Sequence, residues 1–482
     1  MGWRDEDPGL PIKFGPCAND EYVPVPLSPL VREAVRRAEE ACDDNARRTG
    51  MTRRRFLLSA CGAATTLLAL DACSKEESGS RGRQPGGSFT IPKEATTEPQ
   101  AAQEALGGAE VIVDVQGHLL DYQVDPAARA EPFFGSGFPQ ARCGEPDPHD
   151  CFSVDHFLEE MFLRSDTSMA VISAIPVAPE HSPLSVDVRE RVRRVAHAVC
   201  HDDRVTIQGE AHPTLSPLGA ALDAMTAMAH QHQLVAWKVY TQGPGPGWWL
   251  DDHEADAPQV GNAFVRHAAD LGIPRICVHK GLGGGKFASP EDIGPAAKAH
   301  PDVAFVVYHS GYEAGTREGP WTGATADVGV NRLITSLRKA GVGPNQNVYA
   351  ELGTTWWSVM RSPTEAAHVL GKLLRFVGDD NVLWGTDSIW YGSPQDQIQA
   401  FRAFQISEEL QQRFGYPALT KERKAKVFGE NALRLHRLSP ITGRCSFTRQ
   451  ELEQARQALP GANRTYGPTT AAEARARRSG LA

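Results

Sequence analysis

Short apolar runs alternate with longer amphipathic stretches along most of the chain, and this alternation limits the fold more than any other feature. The runs are rich in Val, Ile and aromatic residues, which is typical of strands buried on both faces. The predicted strands are 111–115, 168–174, 204–209, 234–239, 273–278, 303–308, 347–351 and 381–385. Helices are predicted at 155–165, 186–200, 216–233, 258–271, 290–300, 327–340, 364–377, 394–413 and 421–438.

Strands and helices that alternate in this way predict an α/β fold, and the eight repeats predict closure into a (β/α)8 TIM barrel. An open, doubly wound parallel sheet is the alternative. No Gly-x-Gly-x-x-Gly motif follows the first predicted strand, which argues against a dinucleotide-binding fold. In a TIM barrel, the functional side chains collect at the carboxyl ends of the strands.

Polar side chains stand at or just beyond those strand ends. They are Gln116, His118, Glu210, His212, Lys238, Tyr240, His279, His309, Glu351 and Asp387. Polar groups that converge away from water are costly unless something pairs with them. Imidazole and carboxylate are common ligands of zinc and related cations, so the pattern predicts a metal site at one rim of the barrel.

The motifs around these residues resemble those of the amidohydrolase superfamily, in the branch that contains aminocarboxymuconate-semialdehyde decarboxylase. The resemblance covers most of residues 110–438. It is carried by DVQGH (114–118), ICVHKG (276–281), VVYHSG (306–311), WGTDSIWYG (384–392) and FGENALRL (428–435).

The resemblance implies a role for each matching residue. His118, His279 and Asp387 would bind the metal, together with the residue at position 116. His309 would position or activate the attacking water, and Asp387 would also accept its proton. Some branches carbamylate a lysine on the fourth strand to bridge two metals; Lys238 lies at about that place, although such a lysine more often does not bridge in this branch.

Gln116 departs from the family pattern, which has histidine at this position. An amide oxygen is a weaker donor to zinc than imidazole. Three outcomes are open: Gln116 ligates weakly, His118, His279 and Asp387 suffice with water, or the site holds no catalytic metal, as in some family lactonases. The expected cofactor is one divalent ion, with zinc preferred and manganese or iron as alternatives.

Tryptophans are concentrated in the segments that follow the strands, for example in QGPGPGWWLDD (242–252). These indoles would either close over a flat substrate or anchor long loops on the barrel. The candidate substrate-binding residues are Lys238, Tyr240, Trp249, Trp357 and Glu351.

The N-terminal region has features of an export signal. TRRRFLL (52–58) leads into a short apolar stretch that ends in LDAC, with Cys73 last. This resembles a twin-arginine signal followed by a lipobox, although Asp71 is a poor lipobox residue. We therefore expect export to the periplasm or cell envelope, the twin-arginine translocase as a partner, and a lipid anchor at Cys73. The alternative is a buried helix with a basic cap.

The remaining segments complete the predicted domain organisation. Residues 1–50 form an extension with a helix at 29–48, which is either translated or an upstream start-site error, and 51–73 form the signal. Residues 74–109, rich in Ser, Gly and Pro, are predicted as a flexible linker, 110–439 as the barrel, and 440–482 as a short helix and a frayed tail.

Two further expectations concern covalent links and partners. Cys143 and Cys151 bracket a short loop and, in an exported protein, would form a disulfide or remain two free thiols. The net charge of −9 and the absence of an obvious basic face make nucleic acid an unsuitable partner. A small-molecule substrate and a second copy of the chain are the other candidate partners.

The sequence as a whole favours a metal-dependent hydrolase that cleaves an ester, lactone or amide-like bond in a small carboxylate substrate. Aromatic carboxylates are among the candidate substrates. A carbon–carbon lyase (decarboxylase) on the same fold is the first alternative. A non-catalytic, exported binding lipoprotein is the second, and Gln116 is the residue that favours it.

Overall fold

A closed sheet of parallel strands forms the centre of the protein. The computed structural model describes residues 7–19, 21–121, 147–443, 445 and 470–472. The described residues form the strands β1 Gly87–Phe89, β2 Val113–Gly117, β3 Met169–Ile172, β4 Val205–Glu210, β5 Leu234–Tyr240, β6 Arg275–His279, β7 Ala304–Tyr308, β8 Val348–Glu351, β9 Val382–Leu383 and β10 Phe404–Ile406. Strands β2 to β9 pair in chain order and in parallel, and a parallel bridge from Gly117 to Ser388 joins the two ends of this sheet. The predicted TIM barrel is confirmed.

Helices surround the barrel. They are α1 Pro29–Arg48, α2 Arg53–Leu57, α3 Ala60–Ser80, α4 Pro99–Leu106, α5 Val154–Leu158, α6 Val186–Cys200, α7 Leu218–Gln231, α8 Gly261–Asp270, α9 Ile293–Ala299, α10 Asn331–Ala340, α11 Thr355–Val359, α12 Pro363–Phe376, α13 Gln395–Ala403, α14 Glu408–Phe414, α15 Lys421–Ala425 and α16 Asn431–His436. Most lie within a few residues of the predicted helices, and α6 has the predicted bounds.

The single helix predicted at 394–413 is wrong. The chain leaves α13 after Ala403 and forms β10 before α14 begins. β10 pairs antiparallel with β1, which buries Phe404 and Ile406, and Ser407 then caps α14 by accepting a hydrogen bond from the Leu410 amide. A distant strand partner therefore overrides the local helical pattern.

The strands bury both of their faces, as parallel barrel strands do. Alternate residues such as Val113, Val115, Val171 and Val306 form one apolar cluster inside the barrel. The residues between them join the larger apolar cluster that also contains the surrounding helices. This double burial explains why the strands read as near-continuous apolar runs.

The flexible linker predicted at 74–109 is also wrong. It contains the end of α3, β1, a 3-10 turn at Lys93–Thr96 and α4. Its few apolar residues, including Phe89 and Leu106, are buried against the rest of the chain. Their burial stabilises ordered structure despite a composition typical of linkers.

The predicted signal segment lies mostly within α3, which packs against α1. Cys73 is buried there, and the buried carboxylate of Asp71 accepts a hydrogen bond from the Phe89 amide. Among the described helices, none is both long and apolar enough for a membrane span. Export and lipidation stay predictions.

A disulfide that the sequence reading missed joins Cys200, at the end of α6, to Cys445. Cys151 also takes part in a disulfide. Cys143 and the predicted terminal helix at 448–459 lie outside the described residues.

Candidate active site

Four predicted site residues meet in one buried centre at the carboxyl ends of the strands. Gln116 Nε2 donates to Asp387 Oδ1 (2.9 Å) and lies 3.3 Å from His118 Nε2 and 3.4 Å from His309 Nε2. His118 Nε2 itself lies 3.2 Å from Asp387 Oδ1. The side chains from β2, the end of β7 and the end of β9 therefore share one pocket, as the sequence predicted for them.

Backbone carbonyls fix the orientation of two of the imidazoles. His118 Nδ1 lies 3.1 Å from the Ser173 carbonyl oxygen, and His309 Nδ1 lies 2.8 Å from that of Gly353. Because a carbonyl can only accept, each Nδ1 carries the proton and each Nε2 turns a lone pair into the centre. Burial lowers the pKa of His118, and lowers that of His309 to about 4, so both rings are neutral at pH 7.

His279 brings a third imidazole into the same centre. Its Nδ1 lies 3.1 Å from His309 Nε2, its Nε2 lies 3.5 Å from Glu21 Oε2, and its ring stacks on Tyr240 at 5.0 Å. Burial, followed by the nearby His309, keeps its pKa well below the usual value. A neutral His279 has one N–H, so it leaves a lone pair facing either His309 Nε2 or the Glu21 carboxylate.

The Asp387 carboxylate is held ionised. Thr354 Oγ1 donates to Oδ2 (2.6 Å), and so does Asn19 Nδ2 (2.8 Å). Burial alone would raise the pKa of Asp387, but the close contact with His118, the neighbouring His309 and the hydrogen bond from Thr354 lower it far below its usual value. Asp387 and His309 both have positive φ values, 59° and 63°, a conformation that costs free energy in residues other than glycine and is often found at active sites.

Gln116 has one amide atom without a hydrogen-bond partner in the described structure. This is Oε1, which is buried. The amide fits because residue 353 is glycine: a Cβ there would lie 2.3 Å from Oε1. If the amide were turned over, Oε1 would face the Asp387 carboxylate, and two acceptors at that distance need a cation between them.

Lys238 on β5 is a buried ammonium without a hydrogen-bond partner among the described residues. Its Nζ lies over the rings of Tyr308 (3.7 Å) and Tyr240 (4.6 Å). Burial lowers its pKa to about 8. Glu351 on β8 points toward the backbone instead: its carboxylate accepts from the His309 amide (2.9 Å) and from the Gly353 amide. Burial raises the pKa of Glu351 to about 8.

The remaining predicted substrate residues have structural partners. Tyr240 donates to the Ala174 carbonyl oxygen (3.1 Å), and its ring stacks against that of His279. Trp357 stacks on Tyr391 at 4.7 Å. Trp249 packs against Phe287 at 5.0 Å in the loop after β5. Tyr240 therefore packs against a site histidine, Trp357 packs against Tyr391, and Trp249 stabilises a loop.

Sequence reasoning missed several contributors. Asn19 and Glu21 lie in the predicted N-terminal extension, residues 1–50, and no periodicity in the sequence marks them. Thr354 lies three residues after the end of β8, and its hydroxyl hydrogen-bonds Tyr391 (2.8 Å) as well as Asp387. Tyr391 lies within the motif WGTDSIWYG, which was the signal that could have identified it.

The donor set fits a divalent cation. Ligand atoms of Glu21, His279 and His309 all lie within 4.8 Å of one another, and neutral imidazole and carboxylate are zinc-type or manganese-type donors. The facing lone pairs around His279 and the unsatisfied amide oxygen of Gln116 are polar groups that a cation would satisfy. The structure therefore contains a candidate metal site.

A closed parallel barrel with this centre at its carboxyl end defines a TIM-barrel protein with an enzyme-like site. The family model described as amidohydrolase (Amidohydro_2) matches residues 185–438, more than half of the chain, and the chain belongs to this family. The predicted superfamily is confirmed, and the narrower branch stays a prediction. Among curated proteins, no sequence matches the chain.

Several solved structures are similar to this chain at low identity. An uncharacterised TIM-barrel protein from Bordetella bronchiseptica is 16% identical over 67% of this chain and 97% of its own, with a TM-score of 0.43. The 5-carboxyvanillate decarboxylase from Sphingomonas paucimobilis is 14% identical over 68% and 99%, with a TM-score of 0.41. A dihydroxybenzoic acid decarboxylase from a Polaromonas species, solved with bound manganese, is 12% identical over 68% and 96%, with a TM-score of 0.39.

Proposed function

We propose that this amidohydrolase-family protein is a metal-dependent hydrolase that cleaves an ester, lactone or amide-like bond in a small carboxylate substrate, with aromatic carboxylates as the first class to test. One observation carries the proposal. Three neutral imidazoles and one ionised carboxylate meet at the end of the barrel, and nearby lies the Lys238 ammonium, to which none of the described residues offers a hydrogen bond.

His118, His279 and Asp387 are the residues that would hold the cation, with zinc preferred and manganese or iron as alternatives. When bound, such a cation supplies a Lewis acid and lowers the pKa of a water molecule. His309 is the candidate general base. Its Nδ1 is fixed on the Gly353 carbonyl, so its Nε2 can accept a proton without reorientation. Asp387, held ionised by its neighbours, is the second candidate acceptor.

Lys238 would bind the substrate carboxylate. It is the buried cation in this region to which the described residues offer no hydrogen bond, and a carboxylate would give it one. The rings of Tyr308 and Tyr240 hold the ammonium in place and provide apolar surface beside it. An aromatic carboxylate suits such a surface.

A panel of aromatic carboxylate esters, lactones and amides, incubated with the metal-loaded protein, tests the proposal. We expect turnover with at least one ester or lactone, and loss of that turnover in Asp387→Asn and His309→Gln. Release of CO2 from a free aromatic carboxylate without hydrolysis would instead establish the decarboxylase alternative. Binding without turnover across the panel would favour the binding-protein alternative.

Export through the twin-arginine translocase, with lipid attachment at Cys73, remains a separate proposal that the basic and apolar segment supports. Cleavage before Cys73 would remove residues that contact the site, including Asn19 and Glu21. The mass of the mature protein, together with its position in fractionated cells, tests whether the chain is exported and lipidated at Cys73. A full-length chain found in the cytosol would contradict export.

A further inference from the structure

The N-terminal segment, residues 7–19 and 21–28, brings two polar side chains to the predicted metal site. Asn19 Nδ2 donates to Asp387 Oδ2 (2.8 Å), and Glu21 Oε2 lies 3.5 Å from His279 Nε2. The two side chains also hold each other, since Asn19 Nδ2 donates to Glu21 Oε2 (3.2 Å) and the Glu21 amide donates to Asn19 Oδ1 (3.1 Å). The segment therefore presents an oriented carboxylate to a buried histidine.

Strong contacts fix this segment to the barrel before and after Asn19. The Lys13 ammonium forms a buried salt bridge with Asp396 (2.9 Å) and donates to the Ser393 carbonyl oxygen (2.6 Å). The Tyr22 hydroxyl hydrogen-bonds the Tyr391 hydroxyl (3.1 Å). A buried ion pair and a buried hydroxyl pair would be costly to break, so Glu21 is held near His279 by the fold.

A close approach between the backbones of Gly283 and Glu21 also holds the N-terminal segment near His279. An added Cβ on Gly283, in the loop after β6, would lie 2.9 Å from the Glu21 carbonyl oxygen. The loop that follows the His279 strand therefore accommodates this segment closely only because residue 283 is glycine. The contact places Glu21 against the loop that directly follows the strand of the predicted ligand His279.

We propose that Glu21 is a ligand of the same divalent cation, and that the N-terminal segment thereby completes a donor set in which Gln116 replaces a stronger ligand. The proposal rests on the proposed metal-dependent function. Glu21, His279 and His309 are the group whose ligand atoms lie within 4.8 Å of one another, and a carboxylate is the donor type that a neutral amide at position 116 does not provide. The N-terminal segment is then part of the active site.

The test compares the metal affinity of the full-length protein with that of Glu21→Gln, which keeps the size of the side chain and removes its charge. Glu39→Gln is the matched control, because Glu39 is an exposed glutamate of α1 in the same N-terminal region. Affinity for Zn²⁺ and Mn²⁺ is measured by chelator competition. We expect Glu21→Gln to lose more than about tenfold in affinity and Glu39→Gln to match the wild type. The metal-free forms of all three should unfold at the same temperature.

The outcomes separate this proposal from the proposed function. If wild type and Glu21→Gln bind metal equally, Glu21 is not a ligand and this inference alone is overturned. If the wild type binds neither cation, the metal-dependent function falls as well. Increased turnover in Glu21→Gln at unchanged metal affinity would show that the segment obstructs the site instead. If Glu21→Gln does not fold, Glu21→Asp is measured instead. It keeps the charge but shortens the side chain, so its metal affinity should fall below that of the wild type, and wild-type affinity would count against ligation.

Discussion

Replacing Lys238 by methionine should make the metal-free protein more stable and should abolish turnover by the metal-loaded protein. The ammonium is fully buried, lacks a hydrogen-bond partner among the described residues, and has its pKa lowered from a usual value near 10.5 to about 8 by burial. That difference corresponds to a penalty of roughly 3 kcal/mol at pH 7. Methionine removes the penalty but also the attraction to the ring of Tyr308, worth about 1–2 kcal/mol. We expect a net gain of about 1–2 kcal/mol in the free energy of unfolding.

The sign of the pH dependence follows from the direction of the pKa change. Between about pH 8 and pH 10.5 the unfolded chain still holds a proton at Lys238 that the folded chain has released. Wild-type stability at this site therefore rises with pH across that window, and the advantage of Lys238→Met should shrink. Urea denaturation of both proteins at pH 7 and pH 10, with chelator present, measures the difference.

Lys372→Met is the matched control. Lys372 is also buried, but its ammonium pairs with Glu318 Oε2 and Asn331 Oδ1, both at 2.7 Å. Removing it leaves a buried carboxylate without its partner, so we expect a loss of about 3–5 kcal/mol. A Lys238→Met protein less stable than wild type at pH 7, or a stability difference that is the same at both pH values, would show that the buried ammonium carries no such penalty.

The remaining predictions concern metal affinity, the N-terminal segment and the disulfide. Gln116→His restores a stronger ligand at position 116, so affinity for Zn²⁺ in chelator competition should rise at least about tenfold, and an unchanged affinity would remove this position from the metal site. Asp396→Asn leaves the buried Lys13 ammonium without its charge partner, so limited proteolysis should cut before α1 sooner than in wild type; equal resistance would contradict the anchoring role. Loss of the Cys200–Cys445 disulfide in a variant with both cysteines changed to serine should lower the free energy of unfolding by about 2–4 kcal/mol, and urea denaturation of this variant beside the wild type would detect or disprove the loss.

The barrel could be predicted from sequence because its strands are buried on both faces and leave unbroken apolar runs, such as VAFVVY before His309. The positions of His118, His279, His309 and Asp387 followed from the rule that the carboxyl ends of barrel strands meet at one rim. Local pattern and fold topology were sufficient there, because each side chain is placed by its own strand.

The N-terminal contribution could not be predicted in the same way. The hydrogen bond from Asn19 to Asp387 joins residues 368 positions apart, and no local pattern encodes such a contact. A basic and apolar segment also has the same composition whether it is a signal or a buried helix such as α3. The pairing of β1 with β10 could not be predicted for a related reason. Each strand is only three residues long and forms only by pairing with the other, which is distant in sequence.

Anomalous diffraction from crystals of the full-length protein, at the absorption edge of the metal it contains, would show directly whether the barrel holds the cation. We predict one strong peak at the carboxyl end of the barrel, within about 2.0–2.3 Å of ligand atoms from His118, His279 and Asp387. A metal-supplemented crystal with no peak among these side chains, or with its peak outside the barrel, would mean that these residues do not form a metal site.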